Sequence, residues 1–69
     1  MKKIDIGERI HELRGEKSLN SLANETGLQI TQIRRIEEGS INPTFKTTER
    51  ILDALGYKID IVLKQKEGQ

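Results

Sequence analysis

The chain has 69 residues, and its twelve basic and eleven acidic side chains leave a net charge of +1 at pH 7. This length allows one small domain, whose core is marginal on its own. The near balance of charge excludes nucleic-acid binding through bulk positive charge, so any such binding requires basic groups gathered on one face. The absence of cysteine excludes disulfides, thiolate metal sites and cysteine nucleophiles.

No segment of the sequence has the composition of a membrane anchor or a secretion signal. No apolar run approaches the roughly 18 to 20 residues that a membrane-spanning helix needs. Met1, Lys2 and Lys3 carry positive charge, but Asp5 and Glu8 interrupt the segment after them, so no signal peptide is visible. We therefore expect a soluble cytoplasmic protein with no membrane partner.

The first half of the chain predicts two helices. Asp5 is the expected N-cap of a first helix over about residues 6 to 16. A second, shorter helix ends at Gly27, which can adopt a positive φ at low cost and so suits a tight turn between helices. The residues expected on the inner faces are Ile6, Ile10 and Leu13 in the first helix and Leu22 and Ala23 in the second.

Two further helices complete the predicted set. The third opens at Gln29 and ends at Gly39, a residue type that favours the C-terminal capping position. Thr44 is the expected N-cap of the fourth helix, which stops at Gly56. The residues expected to face the core are Ile33 and Ile36 in the third helix and Phe45, Thr48, Ile51, Leu52 and Leu55 in the fourth.

The apolar period changes to two over about residues 57–64, where Ile59, Ile61 and Leu63 alternate with polar side chains. This pattern predicts a β-strand, which has no partner in a four-helix chain. Pairing with the same strand of a second subunit would satisfy its backbone groups. The alternative is a strand folded against its own helices or an arm ordered only in part. The single domain then covers residues 1–64, and 65–69 form a polar tail.

Four blocks of sequence carry a family resemblance. They read IGERIHELR at 6–14, LANETGL at 22–28, IRRIEEG at 33–39 and NPT at 42–44. In this order they resemble the Xre-type family, the Cro and phage-repressor class of helix-turn-helix DNA-binding proteins, over about residues 6–56. The resemblance implies an all-α, lambda-repressor-like helix-turn-helix domain of four helices, to which the alternating pattern adds a C-terminal β-strand.

The exposed face of the third helix is the candidate reading surface. With Ile33 and Ile36 inward, helical geometry turns Thr31, Arg34, Arg35 and Glu38 away from the core. The resemblance implies that this face enters the major groove of double-stranded DNA. An arginine there can bind guanine O6 and N7, which contributes about 1–3 kcal/mol of discrimination. The resemblance implies Ile30, Thr31 and Arg35 as base-reading residues, and Arg34 on the same exposed face could reach a base or a phosphate.

Contacts to the DNA backbone are expected at both ends of this surface. The candidate residues are Gln29 and Gln32 on the third helix, and Ser40, Asn42, Thr44 and Lys46 in and after the following loop. In the alternative interpretation, the loop hydroxyl and amide groups only satisfy loop and cap hydrogen bonds.

Glu37 lies close in angle to the buried face of the third helix, so its carboxylate requires a partner. Arg9 and Arg14 flank the apolar face of the first helix on opposite sides, and either could reach it. The resemblance to the Xre-type family selects Arg14. The Arg14–Glu37 pair would then fix the third helix against the first without touching bases.

The sequence departs from the family between the first two helices, where two residues are missing. If Ser18 is the cap of the second helix, Leu19 replaces a glutamine that often touches phosphate. If Leu19 is instead the usual core leucine, that glutamine is absent altogether. Ser40 stands where the family often has a basic residue, and Glu38 adds negative charge. These changes predict modest affinity for DNA and a shallow salt dependence.

The sequence therefore predicts a sequence-specific transcriptional regulator, a repressor that binds a palindromic operator as a homodimer. The fourth helix followed by a strand is similar to HipB-type antitoxins, so the alternative is an antitoxin or interaction module that binds a toxin protein. One histidine, His11, and no cysteine supply neither a metal site nor a nucleophile pair. We expect no cofactor, no metal and no enzymatic activity.

Overall fold

Four α-helices make up most of the computed structural model, which describes residues 5–60 and 65. The helices are α1 (Ile6–Arg14), α2 (Leu19–Thr26), α3 (Ile30–Glu38) and α4 (Phe45–Ala54). Both α1 and α2 pack against α3, and α2 also packs against α4. No strand occurs among the residues described, so the predicted all-α, four-helix class is confirmed for them.

The core is small and receives side chains from all four helices. Burying one leucine or isoleucine side chain contributes about 1.5–3 kcal/mol, so each member matters in a domain of this size. The third helix inserts only one stripe of side chains and leaves its opposite face to solvent. The buried apolar residues are Ile10, Leu22, Ala23, Ile33, Ile36, Ile51 and Leu52.

Side-chain caps determine where α1 and α2 begin. Asp5 accepts a hydrogen bond from the Gly7 N–H at 2.9 Å and starts α1. Ser18 accepts from the Ser21 N–H at 3.0 Å and starts α2. Ser18 is therefore the cap, as the first alternative for the short connection requires, and Leu19 directly follows it. Because Leu19 packs against the core, it is also a partly buried structural residue.

Two apolar residues expected inside are exposed, and α1 is shorter than predicted. Ile6 is 37% exposed to solvent, and Phe45 is 53% exposed. Each is the first residue of its helix. Its side chain lies on the same side of the helix as the buried residues, but at the end of the helix, where it is not covered by the core. Helix α1 ends at Arg14 rather than near residue 16, because Gly15 leaves the helix with a φ of 56°.

The C-terminal segment corrects the predicted strand. Residues 57–60 have no regular secondary structure, while Ile61 and Leu63 lie outside the described residues. The Tyr57 N–H donates to the Leu52 carbonyl at 2.8 Å, so the backbone at this point still closes the end of α4. Ile59 packs against the domain's own core. Over residues 57–60, the segment therefore closes the end of α4 and packs on the core, and it does not form a strand.

Helices α1 and α3 approach each other closely at Gly7. A Cβ built on this buried glycine overlaps the Ile36 carbonyl oxygen and stands 3.0 Å from the Ile36 carbonyl carbon. The obstructing atoms belong to the backbone, so they cannot move aside as a flexible side chain would. Gly7 therefore lets the two helices approach closely enough for α1 side chains to reach the end of α3.

Thr26 closes the turn between α2 and α3 through hydrogen bonds that were not predicted from the sequence. Its buried hydroxyl donates to the Leu22 carbonyl at 2.8 Å and accepts from the Leu28 N–H at 3.2 Å. Gly27 follows with a φ of 78°, as the turn predicted there requires. The hydroxyl thus joins the last turn of α2 to the start of the next segment and fixes the direction in which α3 leaves.

We predict that Gly7→Ala lowers the free energy of unfolding by about 1–3 kcal/mol, because the added methyl overpacks the α1–α3 contact. Glycine to alanine inside a helix ordinarily stabilises it by roughly 0.5–1 kcal/mol, so the expected sign is opposite to the helix-propensity effect. Urea unfolding followed by circular dichroism measures the difference.

The control variant is Asn24→Ala, at an exposed position inside α2. Alanine there raises helix propensity without adding a contact, so stability should stay equal or rise. If Gly7→Ala were as stable as the control, the close backbone approach of α1 to α3 would be wrong.

Candidate nucleic-acid interface

The exposed face of α3 is formed as helical geometry predicts. Thr31, Arg34, Arg35 and Glu38 are exposed, and Ile33 and Ile36 are buried beneath them. Thr31, Arg35 and Glu38 form one row along the helix. Within the described part of the chain, neither arginine forms a salt bridge. Both guanidinium groups are therefore available to an outside partner.

The start of α3 combines packing with exposed polar groups. Ile30 is half-buried against the core, so only part of its side chain is open to a ligand. Gln32 is also half-buried. Gln29 is the exposed N-cap, and its side chain makes no capping hydrogen bond. The first N–H groups of α3 thus lack a capping side chain at the positive end of the helix dipole.

The other predicted contact residues lie in the loop after α3 and at the start of α4. Ser40, Asn42, Thr44 and Lys46 are all exposed. The Thr44 hydroxyl accepts from the Thr47 N–H at 3.1 Å and caps α4, as the structural alternative predicts for this residue. Over residues 5–60, the Ser40 and Asn42 side chains form no hydrogen bond. Their polar groups remain available.

A paired arginine and glutamate hold α3 against α1. Arg14 Nε donates to Glu37 Oε2 at 2.7 Å, and Arg14 Nη2 donates to Glu37 Oε1 at 2.9 Å. The two side chains are only 14% and 8% exposed. Arg9 instead pairs with Glu12 at the surface. The geometry therefore assigns Arg14 as the partner of Glu37, and its two parallel hydrogen bonds fix the orientation of both groups.

Two contacts around this pair were not foreseen from the sequence. His11 Nδ1 lies 3.0 Å from Glu37 Oε1, although 65% of the side chain is exposed. Arg14 Nη1 donates to the Lys17 carbonyl at 2.8 Å and so braces the short connection before α2. His11 and Arg14 are three residues apart, so they lie on one side of α1. This spacing was the only feature of the sequence that could have predicted the contact of His11 with Glu37.

The surroundings of the pair change both pKa values in favour of the charged forms. Burial alone would raise the pKa of Glu37, but hydrogen bonds from Arg14 and His11, together with their charges, lower it below its ordinary value. The hydrogen bond to Glu37 raises the pKa of Arg14 against the opposing effect of burial. The ion pair is therefore maintained at neutral pH, which keeps α3 in place.

A second surface lies along α4 and the segment after it. An open groove here is lined by cationic, anionic and apolar side chains, none of which joins a salt bridge within residues 5–60. Tyr57, at the edge of this groove, is 48% exposed. The lining residues are Lys46, Glu49, Arg50, Asp53, Tyr57, Lys58 and Ile59.

We predict that Glu37→Gln lowers the free energy of unfolding at pH 7 by about 1–3 kcal/mol, since it removes a charged acceptor from a buried pair. The lowered pKa means that the carboxylate stabilises the fold above its unfolded-state pKa. This contribution is lost as the pH falls through the folded-state value. The variant should therefore lose less stability than the unchanged chain on acidification. Urea unfolding across the acid range measures both quantities.

The matched control is Glu25→Gln, which removes the carboxylate of the more exposed Lys17–Glu25 pair. Such surface pairs contribute about 0–1 kcal/mol, so the effect should be smaller. Equal losses in the two variants would contradict a structural role for Glu37.

Over residues 5–60 and 65, the structure contains neither a helix long and apolar enough to cross a membrane nor a group of side chains suited to hold a metal ion. No curated protein and no solved structure gives a significant match to the chain. A family model described as a helix-turn-helix domain matches residues 7–68. This match covers most of the sequence and supports the Xre-type resemblance at a coarse level. The chain therefore belongs to this family of helix-turn-helix domains.

Proposed function

We propose that the protein is a sequence-specific, double-stranded DNA-binding transcriptional repressor that acts as a homodimer on a palindromic operator. The observation that carries the proposal is the exposed face of α3, which presents two arginines that form no salt bridge among the described residues. Membership of a helix-turn-helix family supports DNA as the partner. The proposed setting is the cytoplasm, and the proposed activity is binding without catalysis or a cofactor.

In the proposed complex, the start of α3 enters the major groove. Arg35 binds a guanine edge through its guanidinium group, and Thr31 contacts a neighbouring base through its hydroxyl or methyl group. Arg34 reads a base or the adjacent phosphate. The exposed part of Ile30 makes an apolar contact, for example with a thymine methyl group.

Phosphate contacts then flank the reading helix on both sides. Gln29 and Gln32 reach the backbone from the start of α3, while Ser40 and Asn42 reach it from the loop. The capped N-terminus of α4 adds backbone N–H groups, and Lys46 adds a positive charge. Lys46 is the one charged side chain among these flanking contacts, so they imply modest affinity and a shallow dependence on salt.

The homodimer supplies a second reading helix. A helix-turn-helix dimer reads two half-sites about one turn of DNA apart, which doubles the specific contacts of a small domain. The proposal does not rely on strand pairing, because residues 57–60 form no strand. Apolar side chains that remain exposed are available for an interface between subunits. These are Ile6, Ile41, Phe45 and Tyr57.

We predict that Arg35→Ala reduces the preference for one base in each half-site by about 1–3 kcal/mol, because a bidentate contact to guanine is lost. The site is first found by selection from a random duplex pool with the purified protein. Competition between the selected duplex and its single-base variants then measures the preference.

The control variant is Arg50→Ala, which removes the same charge from an exposed position on α4. It should weaken binding to all these duplexes equally, if at all. Identical base preferences for Arg35→Ala and the unchanged chain would reject the proposed orientation of α3 in the groove.

We predict that the protein sediments at twice the 7.9 kDa mass of one chain and binds its selected duplex as two chains per site. Sedimentation equilibrium with and without DNA measures both. A duplex that contains only one half-site is the control and should bind more weakly. Sedimentation as a single chain together with a stoichiometry of one would contradict the homodimer.

A second function is favoured by the groove along α4. Its exposed Tyr57 and its mixed charges suit a protein partner, which would make the chain an antitoxin or interaction module that binds a toxin. Failure of the purified chain to bind any duplex at low salt, with stoichiometric assembly on the product of a neighbouring gene, would favour this function. Tight duplex binding that does not change when the groove is altered by Lys58→Ala would favour the repressor.

A further inference from the structure

Glu38 introduces a negative charge into the surface that faces DNA in the proposed function. It is exposed in the last turn of α3 and lies in the same row as Thr31 and Arg35. Glu38 comes seven positions after Thr31, so the two lie at nearly the same angle and about 10 Å apart along the axis. The middle of the row thus carries an arginine, and its C-terminal end carries a carboxylate.

Within the described part of the chain, no neighbouring cation is bonded to this carboxylate. Glu38 forms no salt bridge over residues 5–60, although Arg34 and Arg35 lie one turn before it. The neighbouring Glu37 is paired with Arg14, so these two residues together have no net positive charge to offset Glu38. The C-terminus of α3 adds partial negative charge of its own. Asp5 Oδ2 lies near Gly39 and has the same sign.

This charge distribution makes the two ends of α3 unequal toward a polyanion. The first turn, with its open N–H groups and the following arginines, attracts phosphate. The last turn, near the loop that carries the predicted backbone contacts, repels it. If the first turn enters the groove, Glu38 lies too far along the helix to reach a base edge and comes close to the phosphates instead.

We infer that Glu38 limits the affinity of this protein for DNA by direct repulsion of backbone phosphates, independently of base sequence. The inference rests on the proposed function and identifies a residue that sets its strength. A repelling charge at this point lowers the affinity for operator and non-operator duplexes by the same factor. It also lowers the salt dependence, because the net number of phosphates neutralised is smaller.

A charge series at position 38 tests this inference. Glu38→Gln should tighten binding to both the selected duplex and a random duplex by roughly three- to tenfold at low salt, with a smaller gain at about 0.15 M. Glu38→Lys should repeat the step in the same direction and steepen the plot of log affinity against log salt. Fluorescence anisotropy with both duplexes over a salt series measures these changes.

The control is Asp53→Asn, which changes net charge equally near the C-terminus of α4. That position lies about 12 Å along the helix from Phe45, where α4 approaches the proposed phosphate contacts. Binding by this control should rise much less than for Glu38→Gln. Thermal unfolding should show that both variants remain folded, because both side chains are exposed and occupy the negative end of a helix.

The same measurements in an Arg34→Ala background separate repulsion from an indirect effect. Direct repulsion requires the gain from Glu38→Gln to persist when Arg34 is absent. Loss of the gain there would show that Glu38 acts by holding Arg34, and would overturn the inference. A gain confined to one base sequence, or one no larger than that of Asp53→Asn, would overturn it too. If the unchanged chain binds no duplex, the proposed function itself fails.

Discussion

The contact between α1 and α3 determines how the candidate interface is presented. Gly7 lets the two helix backbones approach, and Arg14 then reaches Glu37 with two hydrogen bonds. These features depend on each other, because a larger residue at position 7 would separate the groups that pair further along. Buried carboxylates need such compensation, so the contact has a defined geometry as well as a favourable energy. The outer face of α3 is thereby held in one orientation.

Much of this arrangement was predictable because it depends on local rules. The caps Asp5 and Thr44 and the positive-φ turns at Gly27 and Gly39 each depend on a few neighbouring residues. Helical periodicity also gave the exposed face of α3 correctly. The Arg14–Glu37 pair could not be predicted from helical geometry alone, because Arg9 was an equally possible partner. The family resemblance was needed to choose Arg14.

The wrong predictions concern features that the local sequence pattern does not determine. Phe45 lies within about 20° of Leu52 around α4, yet it is exposed because it is the first residue of the helix. Alternating residues after Gly56 suggested a strand, but the Tyr57 N–H caps α4 and Ile59 packs on the core. The contact of His11 with Glu37 depends on how two helices cross, which one sequence does not specify.

The family supports DNA as the partner, and the charges on the exposed face of α3 would give the proposed reading helix only moderate attraction for it. Arg34 and Arg35 supply the positive charge of the exposed face, and Glu38 opposes it. The buried Glu37 is compensated inside the protein, so it does not add to this opposition. In the proposed function, recognition therefore depends on base contacts and on two linked copies more than on bulk charge.

The most direct test of this account is an NMR titration of the ¹⁵N-labelled protein with its selected duplex. The account predicts that the largest amide shift changes fall in the first two turns of α3 and in the loop before α4. The amides of 57–60 and the outer face of α1 should change little. Changes concentrated along the α4 groove, with α3 unaffected, would contradict the central claim.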